Sequence, residues 1–132
     1  MTSKITYLGE LRTTCEHLQS GTTILTDAPT DNHGKGEAFS PTDMVATSLG
    51  SCMISIMAIK SMDLDVDLTN STIEITKIMQ AEPRKIAKII VSLQLPDTTE
   101  KNKVILERAA MTCPVFLSLH PDIEKEVTFN WK

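Results

Sequence analysis

The chain has 132 residues, 41 % of them hydrophobic and 23 % charged, with a net charge of −4. That is enough apolar chain for one domain, residues 1–132, with a core of its own, and the balance is that of a globular rather than a disordered protein. The acidic net charge and scattered basic residues exclude the basic stripe that a nucleic-acid backbone requires.

Residues 4–18 read as one extended segment, and Gln19-Ser20-Gly21 punctuates it before the β-branched run Thr22–Thr26, so the two predict a hairpin. The N-terminus has no apolar signal core. Residues 27–38 are loop by composition, with Pro29, Asn32, Gly34 and Gly36 among polar residues. A helix start follows: Ser40 can cap, Pro41 suits the first helical position, and Asp43 stands where a capping-box acid belongs. The run from Met44 to Ile59 carries no charge but includes Thr47, Ser48, Ser51 and Ser55. It is shorter than the roughly 20 apolar residues that span a bilayer, which predicts a core helix and no membrane partner. Its apolar residues cover most of the circumference, so it must be covered on nearly every side, and a second subunit is expected.

Ile73, Ile75 and Met79 alternate with polar residues as on a half-buried strand. After a turn at Glu82-Pro83-Arg84, residues 85–95 predict a second strand with Ala87, Ile89, Val91, Leu93 and Leu95 on one face. Residues 96–99 can cap a helix over 99–111, with Val104, Leu106 and Ala110 inward. Cys113-Pro114 breaks that helix and begins a short one, and Val127, Phe129 and Trp131 alternate on a closing strand. The order β-β-α-β-β-α-β predicts an α+β domain: a largely antiparallel sheet packed with a long apolar central helix.

Three cysteines form an odd, sparse set, unlike a secreted disulfide scaffold, so a reducing cytoplasm is the expected setting. Cys52 lies turns beyond the helix start, where the dipole no longer reaches, so its reactivity would need a nearby cation. Without one it is a small core residue. Cys113, just before a proline, suits an N-cap whose N–H groups would stabilise a thiolate, and on these grounds it is the more acidic thiol. Cys15 and His17 share a strand face, but structural zinc takes four ligands and a spaced cysteine pair, so strand packing is the better reading and no metal is expected. His33 and His120 sit in turn-like loops, and nothing places a histidine beside Cys52 as a hydrolase base.

The combination of LRT near the N-terminus, SG followed by a TDAP loop, GKGEAFSPTDMVATSLGSCM and a distant CPVFLSL resembles the OsmC/Ohr family over almost the whole chain. The resemblance implies a thiol peroxidase that reduces organic hydroperoxides, without a cofactor, as an intertwined homodimer regenerated by a dithiol reductant. It implies Cys52 as the peroxidatic cysteine, Cys113 as the resolving cysteine and Arg12 as the cation facing the reactive thiol. Phe39, Met53 and Phe116 are expected to line the substrate pocket. Members such as the Ohr group carry a glutamate that pairs with the arginine where this chain has Thr42. The acid one residue on, Asp43, is turned by about 100° on a helix, which leaves Asp43 and Glu37 as alternative partners. Two other readings stand beside the peroxidase: a non-catalytic redox-sensing or small-ligand-binding dimer, and a cysteine-dependent hydrolase.

Overall fold

The structure, a computed structural model, describes residues 1–132, which divide into two compact units, Met1–Val45 and Ala46–Lys132. In the first, β1 (Ser3–Gly9), β2 (Arg12–His17) and β3 (Thr23–Asp27) form an antiparallel meander in the order β1-β2-β3. The segment expected to be one strand is therefore a hairpin in itself. Gly9, Glu10 and Leu11 all take positive φ, and the register shifts between Tyr7 and Gly9. Glu10 and Leu11 show no glycine or asparagine signal there, so this turn could not be read from residue type.

The loop after β3 is tied to itself. Asn32 and Gly34 both donate to the Pro29 carbonyl, and the Gly36 N–H donates to that of Ala28. A Cβ at Gly34 would lie 1.7 Å from the Ala28 carbonyl oxygen, so no other residue fits. The fully buried residues of this unit are Thr26, Asp27 and Ser40, all polar, while Ile5, Tyr7, Leu8, Ile24, Leu25 and Phe39 are exposed.

Helix α1 (Pro41–Ser61) begins as the sequence predicts. The Ser40 Oγ accepts from the Asp43 N–H at 3.0 Å, and the Asp43 carboxylate accepts from the Ser40 N–H at 3.0 Å. This is a reciprocal capping box with aspartate in the glutamate role. By length and composition α1 is also long and apolar enough to cross a membrane, but its buried residues, among them Leu49, Gly50, Met53 and Met57, make it part of a protein core.

The second unit carries that core. Strands β4 (Thr72–Gln80), β5 (Lys85–Leu95) and β6 (Glu124–Trp131) form a sheet of order β4-β5-β6, antiparallel between the first two and parallel between β5 and β6. The parallel pairing requires a crossover, supplied by α2 (Glu100–Met111) and α3 (Pro114–Ser118). Central strand β5 buries Ile89, Val91, Leu93 and Leu95 as expected, but at its start Ile86 is buried and Ala87 only half-buried. The pairing jumps from Ile78–Lys88 to Met79–Ile86, leaving Ala87 as the extra residue of a bulge that reverses the alternation. On α2, capped by the Thr99 side chain, Leu106 and Ala110 are buried, whereas Val104, expected inward, is exposed. Trp131 Nε1 donates to Glu107 at 3.1 Å, joining α2 to the end of β6.

Helix α1 meets β4 at Gly50. A Cβ there would stand 2.8 Å from Ile75 Cδ1 and 2.9 Å from Ile73 Cγ2. Alanine would gain about 1 kcal/mol of helix propensity, against an overpacking cost of about 1–3 kcal/mol. Gly50→Ala should therefore lower the unfolding midpoint in urea modestly and Gly50→Val strongly; a midpoint raised by both would show that the contact is loose.

Candidate functional site

Two constellations carry chemistry, one in each unit. The first is built across the β2–β3 register, in which Arg12 and Asp27 stand directly opposite each other. Arg12 Nε donates to Asp27 Oδ1 at 2.7 Å and Nη2 to Oδ2 at 2.9 Å, a bidentate fork. The Asp27 side chain is wholly buried, and that of Arg12 is 25 % exposed. Asp27 Oδ2 accepts a third bond, from the Glu37 N–H at 3.1 Å, and the Asp27 N–H donates to the Phe39 carbonyl. The guanidinium beside it holds the Asp27 carboxyl below the usual range, outweighing the opposite effect of burial, and Asp27 in turn raises Arg12. The Glu37 carboxylate lies 3.6 Å from Arg12 Nη2 and is 69 % exposed, a rim contact beside the buried one.

Sequence reasoning missed Asp27. It stands in the quoted TDAP loop, and the available signal was an acid at the end of a β-branched strand that pairs with the strand opened by Arg12. Of the two acids considered as partners of Arg12, Glu37 is near it and Asp43 forms the capping box. Thr42 Oγ1 lies 3.2 Å from Ser40 Oγ in the same cap. Phe39 is exposed and lines a shallow crevice of about 360 Å³ with Gly36, Glu37, Ala38 and Asp43.

The second constellation is a pair of thiols. Cys52, on α1, is half-buried, and Cys113 is fully buried; both are free. Cys113 is the N-cap of α3, its sulfur accepting from the Phe116 N–H at 3.4 Å. Cys52 is a neighbour of Cys113, packed against the same core. Burial pushes the Cys113 thiol up, the Phe116 N–H opposes this, and the neighbouring Cys52 raises it further. The cap forms as expected, but the more acidic thiol expected at Cys113 does not result, because desolvation outweighs the N–H groups. Met53, expected in the pocket, is wholly buried in the core, and Phe116 is half-buried with Lys125 Nζ 5.3 Å from its ring centre. Cys15 lies 3.8 Å from the Thr13 hydroxyl, and His17 Nδ1 is 2.6 Å from Ser20 Oγ, so neither is turned to a shared ligand.

The chain thus carries an arginine–carboxylate fork in its first unit and a pair of neighbouring thiols in its second, each with a three-stranded sheet. The model of the OsmC-like protein family matches residues 34–128. The chain belongs to that family. It is similar to a Psychrobacter arcticus 273-4 protein named for osmotic stress induction and a detoxification response, at 48 % identity and TM-score 0.95 over 98 % of this chain and 96 % of that one. The fold is shared with an organic hydroperoxide resistance protein OsmC of Legionella pneumophila (16 % identity, TM-score 0.71, 98 % and 97 % covered). It is shared also with an organic hydroperoxide resistance protein of Elizabethkingia anophelis (14 % identity, TM-score 0.76, 100 % and 97 % covered). No curated protein matches the chain.

The pair Arg12–Asp27 has a pH signature. With its folded value below the ordinary 3.8, Asp27 binds fewer protons folded than unfolded. Its contribution is therefore complete above the ordinary value and lost as pH falls through the folded one. Chemical denaturation across the acid range should show a loss of stability that Asp27→Asn removes; an unchanged acid slope in that variant would contradict the coupling.

Proposed function

We propose that this chain is a two-cysteine thiol peroxidase acting on organic hydroperoxides. The observation that carries the reading is that Cys52 and Cys113 are neighbouring free thiols packed into one core, in a member of the OsmC-like family. The names of the Legionella and Elizabethkingia proteins, which share the fold, support the substrate class.

In this mechanism the Cys52 thiolate attacks the terminal peroxide oxygen. The O–O bond breaks, the alkoxide leaves and takes a proton as the alcohol, and Cys52 becomes a sulfenic acid. Arg12 is the cation proposed to hold the thiolate, its charge permanent and its donors arranged in a plane. Cys113 then attacks the sulfenic sulfur and water leaves, giving a disulfide. A dithiol reductant attacks the half-buried Cys52 sulfur rather than the buried Cys113, and its second thiol closes to release both cysteines reduced. Cys113 leaves as a thiolate whose developing charge the Phe116 N–H receives, and then takes up a proton.

A homodimer is part of the proposal. The first unit buries only polar residues and leaves Ile5, Tyr7, Ile24 and Leu25 exposed, a pattern that calls for a covering partner. A cytoplasmic setting, where a dithiol pool keeps both thiols reduced, completes it.

Reduced protein mixed with cumene hydroperoxide should lose two thiols and yield a Cys52–Cys113 link on peptide mapping. Cys113→Ser should keep one rapid oxidation, at Cys52, and lose repeated turnover. Full retention of thiols under excess peroxide would refute the peroxidase. An esterase activity indifferent to Cys113→Ser would instead establish the cysteine-dependent hydrolase.

A further inference from the structure

We propose that Lys125 is the positioning residue for Cys113: from strand β6 it fastens the short helix α3, through the His120 carbonyl and the Phe116 ring, and so keeps the resolving sulfur in its cap. The resolving role of Cys113 rests on the peroxidase reading above; the fastening itself can be read without peroxide.

Lys125 stands where the strand pattern calls for an apolar residue. It shares its parity on β6 with Val127, Phe129 and Trp131, all half-buried, and its register partner is the wholly buried Ile89 of β5. Its sequence neighbours Glu124 and Glu126 belong to the other face, where both pair with Lys88, at 3.1 and 2.9 Å. The Lys125 ammonium group is engaged elsewhere. It donates to the His120 carbonyl at 3.2 Å and stands 5.3 Å from the centre of the Phe116 ring. Phe116 is the residue whose N–H the Cys113 sulfur accepts, at 3.4 Å. One lysine therefore holds both the residue that caps Cys113 and the chain two residues beyond the end of α3.

The helix needs such a fastening. It has five residues, none of them fully buried, and one turn is far too short to hold by itself. Val115, Phe116 and Leu119 pack against the core in part, while Leu117 is 70 % exposed. Segments with so little burial open locally well before the domain unfolds. Cys113 is wholly buried, so its exposure to a reagent reports that opening. The consequence for the reaction is one of timing. While Cys52 is a sulfenic acid, a second peroxide can transfer an oxygen atom to it, leaving an alcohol and a sulfinic acid that thiols do not reverse. Cys113 prevents this only when it is in place.

The first measurement reads Cys113 alone. In a background of Cys15→Ser and Cys52→Ser, Cys113 is the sole thiol, and its labelling by dithionitrobenzoate is followed at fixed pH in low urea. Lys125→Met, which keeps the length and loses the charge, should speed labelling by about tenfold, with the shallow urea dependence of a local opening. Lys125→Arg, which keeps a cation and its donors, should stay within about twofold of the parent. Phe116→Leu should also speed labelling, and adding Lys125→Met to it should do less than Lys125→Met does alone. Hydrogen exchange at the Phe116 and Leu119 amides should rise with labelling. A merely structural lysine would lower the unfolding midpoint and give labelling the steep urea dependence of global unfolding. That result, or unchanged labelling and exchange in folded Lys125→Met, overturns the proposal. Should Lys125→Met fail to fold, Lys125→Gln takes its place. The second measurement uses the chain with all its cysteines under excess cumene hydroperoxide. Lys125→Met should then accumulate more Cys52 sulfinic acid than the parent, and Lys125→Arg no more. Faster labelling without added sulfinic acid, in a chain that does react, would overturn the positioning role. A chain whose thiols ignore peroxide would refute the peroxidase and leave the labelling result standing.

Discussion

The close approach of α1 to β4 at Gly50 is the constraint on which the thiol pair depends. Helix and sheet can meet there only because position 50 has no side chain to hold them apart from Ile73 and Ile75. The cysteine two residues on then belongs to a helix seated directly on the sheet, among Leu49, Met53 and Met57, which are wholly buried. Cys113 reaches the same region from the opposite side of the topology. It lies between the crossover helices α2 and α3, and the parallel pairing of β5 with β6 requires that crossover. Two cysteines distant in sequence thus become neighbours through one tight helix–sheet contact and one crossover.

The environment then distinguishes the two sulfurs. Cys113 is wholly buried and held as an N-cap, which keeps its proton on and its position fixed. A sulfur so placed is closed to solvent. Cys52 retains access. The asymmetry follows from burial more than from any charge in the second unit. The only guanidinium fork described above belongs to the first unit, where Arg12 is held by Asp27.

Much of this was legible in the residues, and what was missed has a common cause. The capping box was readable because all of its parts lie within four consecutive residues, Ser40 to Asp43. The α2 cap at Thr99 and the proline-led α3 were readable for the same reason. The β5 bulge was not, because Ala87 is displaced by its pairing with β4, and nothing in its own neighbourhood signals the extra residue. Asp27 was missed likewise: its partner is set by strand register, which the pattern of the short segment Thr23–Asp27 does not determine. The acidity of Cys113 failed differently. Its N-cap geometry was correct, but the size of the opposing burial is a property of the finished core.

These failures bear on how the chain departs from the Ohr pattern at Thr42. An acid at the start of α1 can serve the helix or the arginine, and here the Asp43 carboxylate accepts the Ser40 N–H while the Asp43 N–H bonds the Ser40 hydroxyl. Arg12 is paired with Asp27, its cross-strand neighbour. A strand neighbour has an advantage over a helix residue: the β2–β3 ladder sets the separation of the two Cα atoms, so a short aspartate suffices where a helix would need the reach of glutamate. Fewer rotatable bonds between backbone and carboxylate also mean less side-chain entropy lost in holding the fork. Pairing Arg12 with a strand acid therefore asks nothing of Asp43 in the α1 cap. It leaves the α1 cap intact and the arginine held by a buried partner that solvent does not reach.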